Sequence, residues 1–191
     1  MRLLAIAITF AALLSPALAA SGISIGAPGV GGTGCPAGTA RASLSADGTS
    51  LSVRFDAYRV AAGGARSFDR KACGLSIPIS VPAGKSVAIV SVDFQGVNRL
   101  PAGAKAVFRA EYFLAGGKGP VFEKTFNGPA NGRFATSNTG TIAWSACGSD
   151  VVLRTNSSLR VQTTGGKAAS SSVRSVDVNT AFLYHLRWKN C

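Results

Sequence analysis

His185 is the single histidine of this 191-residue chain, so a serine or cysteine nucleophile in need of an imidazole base could use no other. It sits in Leu183-Tyr184-His185-Leu186-Arg187-Trp188. On a strand, Tyr184, Leu186 and Trp188 share one face, and His185 and Arg187 share the other. The neighbouring guanidinium disfavours imidazolium, and the expectation is a neutral surface histidine on a sheet face. No S-x-x-K pair is present. A glycosidase needs two carboxyl groups about 5–10 Å apart. Asp93, Glu111 and Glu123 fall in strand-like segments that a sheet could bring together. The expectation is that Asp93 and Glu111 point outward beside Arg and Lys.

Metal chemistry has little to work with. Zinc sites want clustered Cys or His ligands, whereas Cys35, Cys73, Cys147 and Cys191 are separated by 38, 74 and 44 positions. Calcium wants several converging oxygens; there is no D-x-D-x-D-G loop, and Asp150 and Asp177 stand alone. The expectation is no metal and no cofactor. Gly29-Val30-Gly31-Gly32-Thr33-Gly34 matches G-x-G-x-x-G, but a dinucleotide site needs a strand before it and a helix after it. Here Cys35-Pro36 follows. Asn156-Ser157-Ser158 is a glycosylation sequon, of consequence only in a eukaryotic secretory pathway.

The positive chemical feature is arginine. The formal charge is +12, from 20 Lys and Arg against eight Asp and Glu. Such a balance favours anionic surfaces. Arg54, Arg154, Arg160, Arg174 and Arg187 all lie in strand-like segments, and four of them alternate with apolar neighbours such as Val53/Phe55 and Leu159/Val161. Each should point off its sheet into solvent. An outward guanidinium offers a planar fork to carboxylate, sulfate or phosphate. If the strands are neighbours, these five arginines form one cationic face.

The elements that must position them are short and punctuated. Residues 1–19 read as an export signal: Arg2, an apolar Leu3–Leu14 run, a break at Ser15-Pro16 and the cleavage site Ala17-Leu18-Ala19. The apolar run of about 12 residues is shorter than the roughly 20 needed to span a bilayer. The mature charge is then +11, since Arg2 leaves with the signal. Residues 20–34 read as a flexible Gly-rich leader, and residues 35–191 as one domain. Asp47-Gly48 marks a hairpin between Thr39–Ser45 and Ser50–Tyr58. Strands are predicted around Cys73–Val81, Ser86–Phe94, Lys105–Leu114, Val121–Phe126, Thr139–Trp144, Val151–Val161, Ser171–Asn179 and Phe182–Trp188. Pro78 suggests an edge or a bulge, and Asn127-Gly128-Pro129 with Asn131-Gly132 suggests a loop. No helical period is sustained. About nine or ten strands with turns between them predict an all-β antiparallel sandwich.

A family resemblance then emerges from an ordered set of blocks: Gly34-Cys35-Pro36-Ala37-Gly38-Thr39, Leu44–Val53 running into Phe55-Asp56-Ala57-Tyr58, Arg70-Lys71-Ala72-Cys73, Trp144-Ser145-Ala146-Cys147-Gly148 and Trp188-Lys189-Asn190-Cys191. From Gly34 to Cys191 the chain resembles the secreted domain-of-unknown-function 4360 family of bacteria and fungi. The resemblance implies an extracellular, disulfide-bonded, β-rich domain and carries no activity, so it assigns no catalytic residue.

Four cysteines after an export signal predict two disulfides in an oxidising compartment. Three connectivities are open. Cys73 shares strand phase with Leu75, Ile77 and Ile79, and Cys147 with Val151 and Leu153, which predicts a buried Cys73–Cys147 bridge. Cys35 and Cys191 bracket the domain, and domain termini are often close, which predicts Cys35–Cys191. The predicted core is Leu51, Val53, Phe55, Ile77, Ile79, Ile89, Phe108, Trp144, Leu153 and Leu159, with Trp144 packed near a disulfide. The functional expectation is a secreted, non-catalytic binding protein for an anionic polysaccharide or cell-surface polymer. The alternatives are a secreted hydrolase with a carboxylate pair and a membrane-active, toxin-like β protein.

Overall fold

The structure, a computed structural model, describes residues 22–140, 143–173 and 179–191. The predicted signal peptide and its predicted cleavage site near Ala19, as well as Arg174, lie outside the described residues. Thirteen strands run in chain order: β1 Ser24–Ile25, β2 Gly29–Gly31, β3 Ala40–Leu44, β4 Ser50–Phe55, β5 Arg59–Ala62, β6 Phe68–Ser80, β7 Lys85–Leu100, β8 Lys105–Leu114, β9 Val121–Asn127, β10 Ala130–Asn138, β11 Val151–Gln162, β12 Ala169–Ser172 and β13 Phe182–Asn190. They form two antiparallel sheets. The six-stranded sheet runs β1-β6-β11-β8-β9, with β2 also on β6. The seven-stranded sheet runs β3-β4-β13-β7-β12-β5, with β10 also on β7. The chain is therefore the all-β, two-sheet, disulfide-stapled sandwich that its alternating pattern predicts.

The inward residues of both sheets make one core. Phe55, Phe94 and Phe182 from one sheet meet Phe108 and Phe122 from the other, with ring centroids 5.0 Å apart for Phe94–Phe108 and 5.3 Å for Phe94–Phe122. Nine of the ten predicted core residues are buried, and the strand phase is right throughout them. Trp144 is the exception. It bridges Ala88 on the outer side of β7, half-buried, with the Lys189 ammonium 4.4 Å from its ring centre. Its predicted strand, Thr139–Trp144, is replaced by that isolated bridge among the described residues.

Two hydroxyl bridges cross the apolar core and end on β11. Tyr184 and Thr155 share a hydrogen bond of 2.7 Å. Tyr58 and Ser157 share one of 3.2 Å, and Ser157 also donates to the Cys73 carbonyl. Burial pushes both phenols above their ordinary pKa. β11 is thus held from behind at two consecutive inward positions, which fixes the phase of its outward side chains.

The predicted leader is not free. β1 pairs with Ser80 and Ile79, β2 pairs with Ser76–Gly74, and both cover the outer edge of β6. Pro78 sits where that pairing is interrupted. Its carbonyl accepts from Gly26, so its nitrogen, which has no hydrogen, faces the gap between β1 and β2. Two glycines of the Gly29–Gly34 stretch have a clear packing reason. A Cβ on Gly32 (φ +124°) would meet the Ala72 carbonyl at 2.4 Å, and one on Gly34 would meet the Tyr58 ring at 2.5 Å.

This pairing corrects the disulfides. With β2 on β6, Cys35 lands beside Cys73, and the bridge is Cys35–Cys73 (Cα–Cα 5.4 Å). The second is Cys147–Cys191 (Cα–Cα 6.0 Å). Both of its cysteines flank the start of β7: Gly148 donates to Lys85, and Cys191 donates to Gly84. The predicted Cys73–Cys147 and Cys35–Cys191 pairs fail because Cys147 lies in a turn before β11 and has no inward strand phase.

Candidate functional site

The outer face of the six-stranded sheet is built around β11. Its outward residues Arg154, Asn156, Ser158 and Arg160 alternate with the inward Leu153, Thr155, Ser157 and Leu159. On one flank, β6 places Ser76, Gly74, Ala72 and Arg70 opposite them in that order. On the other, β8 places Phe113, Glu111, Arg109 and Val107. β9 adds Glu123 beside Arg109. Beyond β6, β2 contributes only Gly29 and Gly31. The β6–β2 flank therefore has no side chain longer than Ser between Arg154 and Arg70, and its floor lies low.

The result is a shallow trough along β11. Four depressions of about 370, 270, 280 and 140 Å³ follow one another. The first two share Gly74 and Asn156. The next pair shares Arg70, Arg109 and Ser158, and the last pair Val107 and Arg160. From Arg154 to Arg160 the trough runs about 20 Å at the usual strand rise. Among the described residues, Arg70, Arg109, Arg154, Arg160, Glu111 and Glu123 form no hydrogen bond or ion pair with one another or with other side chains. Their polar groups face solvent over the trough.

The sequence expectation of one five-arginine face needs correcting. Arg54 on β4 and Arg187 on β13 are exposed but lie on the seven-stranded sheet, with the core between them and Arg154 and Arg160. Arg174 is outside the described residues. The structure adds Arg70 and Arg109 instead. Arg109 was legible by the same alternation, since it shares phase with Lys105 and Glu111. Arg70 was not, because β6 begins five residues before Cys73.

The carboxylates divide as well. Glu111 and Glu123 sit diagonally in the trough, whereas Asp93 is on the far sheet. There Asp93 accepts from Ser137 (2.6 Å) and lies 2.8 Å from His185 Nε2. Desolvation alone would raise its pKa, but the His185 and Ser137 hydrogen bonds outweigh it, and the carboxyl titrates below its ordinary value. Serine, aspartate and histidine are all present, but in the wrong order. The serine bonds the carboxylate and not the imidazole, so no imidazole base stands beside the hydroxyl. Gly22-Ile23-Ser24-Ile25-Gly26 spells G-x-S-x-G. Ser24 lies in β1 at a sheet edge, not on a strand-to-helix elbow. Among the described residues, no group of three His, Cys, Asp or Glu could hold a metal ion. No helix among them is long and apolar enough to cross a membrane.

A family model described as a domain of unknown function (DUF4360) matches residues 21–191. An "Uncharacterized secreted protein" of Arthroderma benhamiae is 30% identical over 168 residues, covering 84% of this chain and 69% of that protein. Among solved structures, that of TmCBM61 in complex with beta-1,4-galactotriose is similar over 86% of this chain and 88% of its own. Its sequence identity is 12% and its TM-score 0.31, a likeness too distant to carry any argument about function.

Proposed function

The chain belongs to the DUF4360 family, and for this member we propose a secreted, non-catalytic binding protein that holds an anionic polysaccharide against the outer face of its six-stranded sheet. The observation that carries the proposal is the continuous trough with four outward arginines, none engaged by a carboxylate among the described residues. A guanidinium is a planar five-donor fork and binds carboxylate or sulfate bidentately. An open trough about 20 Å long suits an extended chain better than a compact substrate. Two disulfides and the predicted export signal support an oxidising, extracytoplasmic location.

The test compares two triple variants that remove the same charge. Arg70→Gln/Arg154→Gln/Arg160→Gln removes three of the trough's four arginines. Arg54→Gln/Arg99→Gln/Arg187→Gln removes three of the exposed arginines of the other sheet. On a heparin column the native protein elutes well below 1 M salt, because the Debye length shrinks from about 10 Å at 0.1 M to about 3 Å at 1 M. The trough triple elutes at markedly lower salt than the other triple. Coincident elution of the two would mean that the charge acts only in bulk.

A further inference from the structure

The trough is not uniformly cationic, and the pattern along it specifies the ligand further. Arg154 stands at one end, with Ser76 and Phe113 beside it. Next comes Asn156, flanked by the bare Gly74 and by Glu111. Then Ser158 is flanked by Arg109, with Glu123 beyond it. Last, Arg160 is flanked by Arg70. Successive rows are about 6.8 Å apart, two strand residues each. Positive charge therefore falls on Arg154 at one end and on Arg109, Arg70 and Arg160 over the last two rows, with Glu123 beside Arg109. The Asn156 row between them holds an amide and the Glu111 carboxylate and no cation, and the Ser158 hydroxyl borders it.

A polymer with an anion on every unit would set one of them beside Asn156, facing Glu111 across a shallow, partly screened gap where like charges repel. A carboxylate accepts hydrogen bonds and cannot donate them, and Glu111 has no donor from the protein among the described residues. A sugar hydroxyl supplies that donor. The amide of Asn156 and the hydroxyl of Ser158 each both donate and accept, as sugar hydroxyls and acetamido groups do.

We infer that the trough takes a linear polysaccharide in which anionic sugars alternate with neutral ones. The anionic units lie against Arg154 and against the Arg70/Arg109/Arg160 group. The neutral unit between them gives hydroxyl protons to Glu111. The inference rests on the trough being the binding site.

Glu111→Gln tests it through the sign of its effect. The variant keeps the shape of the side chain and removes one negative charge. Binding is measured by titration with two size-matched oligosaccharides, hyaluronan (alternating uronate and neutral N-acetylhexosamine) and polygalacturonate (uronate at every position). Equal melting temperatures of native and variant protein show that the fold is kept. The alternating ligand is expected to bind E111Q about tenfold more weakly, as befits replacing a charged acceptor by a neutral amide that offers one accepting oxygen and a donor. The uniform polyanion is expected to bind E111Q more tightly. Hyaluronan affinity that is unchanged or increased in E111Q overturns the alternating pattern. The trough triple, run beside it, keeps the two readings apart. If that triple binds both oligosaccharides as the native protein does, the trough is not the site and both readings fall. If it weakens both while E111Q tightens both, only the alternating pattern falls.

Discussion

At the residue scale, the trough depends on side chains that never reach it. Thr155 and Ser157 turn inward on β11 and are held by Tyr184 and Tyr58. Tyr184→Phe leaves the Thr155 hydroxyl without its buried partner, a loss of about 1–3 kcal/mol; an unchanged urea midpoint would contradict the clamp. On the opposite sheet, Asp93 has a folded-state pKa below its ordinary 3.8. The stability it contributes is complete above the unfolded value and is lost as pH falls through the folded one. The stability gap between native protein and Asp93→Asn should therefore be constant near neutrality and narrow as pH drops from about 5 towards 2. A gap independent of pH in urea titrations would remove the pair from the acid response. The sequence announced the outward arginines of β11, because alternation with Leu and Val fixes phase. It concealed the inward Thr155 and Ser157, since a hydroxyl in a strand reads as polar and outward until its partner is known. It also misled at Trp144, whose bulk suggested core although it caps the outer side of β7 under Lys189.

At the element scale, strands that bury an alternating face were legible, and strands that bury little were not. Lys105–Leu114 was read to the residue. β10 was read as a loop because Asn131-Gly132 looks like a turn and the strand is exposed on most of its length. It exists because it pairs with β7 along nine residues and lays Phe134 over Gly96. β7 itself looked apolar on both faces. Part of the cause is the bulge at Val90, which exchanges the inward phase between Ile89 and Val92. The leader was misread for the opposite reason: Gly and Ser carry no periodic signal, yet with little or no side chain they can lie flat on β6. This low floor is itself testable. Gly74 has an ordinary φ, and a Cβ there meets nothing closer than 3.7 Å. Gly74→Leu should fold and melt like the native protein while its side chain fills the trough and lowers retention on the polyanion column. Unaltered retention would mean that the ligand does not cross this floor.

At the scale of the whole molecule, the two disulfides join segments adjacent to the sheets' own edges and do not staple one sheet to the other. Cys35–Cys73 fixes the strands that floor the trough, and Cys147–Cys191 closes the chain end against β7. Sequence phase could not reveal this, because it says which face a cysteine is on and nothing about which neighbour approaches that face. The same limit separated the arginines: alternation gave each its outward direction, and only topology assigned Arg154 and Arg160 to one side of the core and Arg54 and Arg187 to the other. The central claim is that one of these two sides binds. It is tested most directly by following backbone amide signals of the isotope-labelled protein during titration with an acidic oligosaccharide. The account predicts that the shifting amides fall on β6, β11 and β8, centred on Gly74, Asn156 and Arg109, while β4 and β13 stay still. Shifts spread evenly over both sheets, or gathered around Arg54 and Arg187, would contradict it.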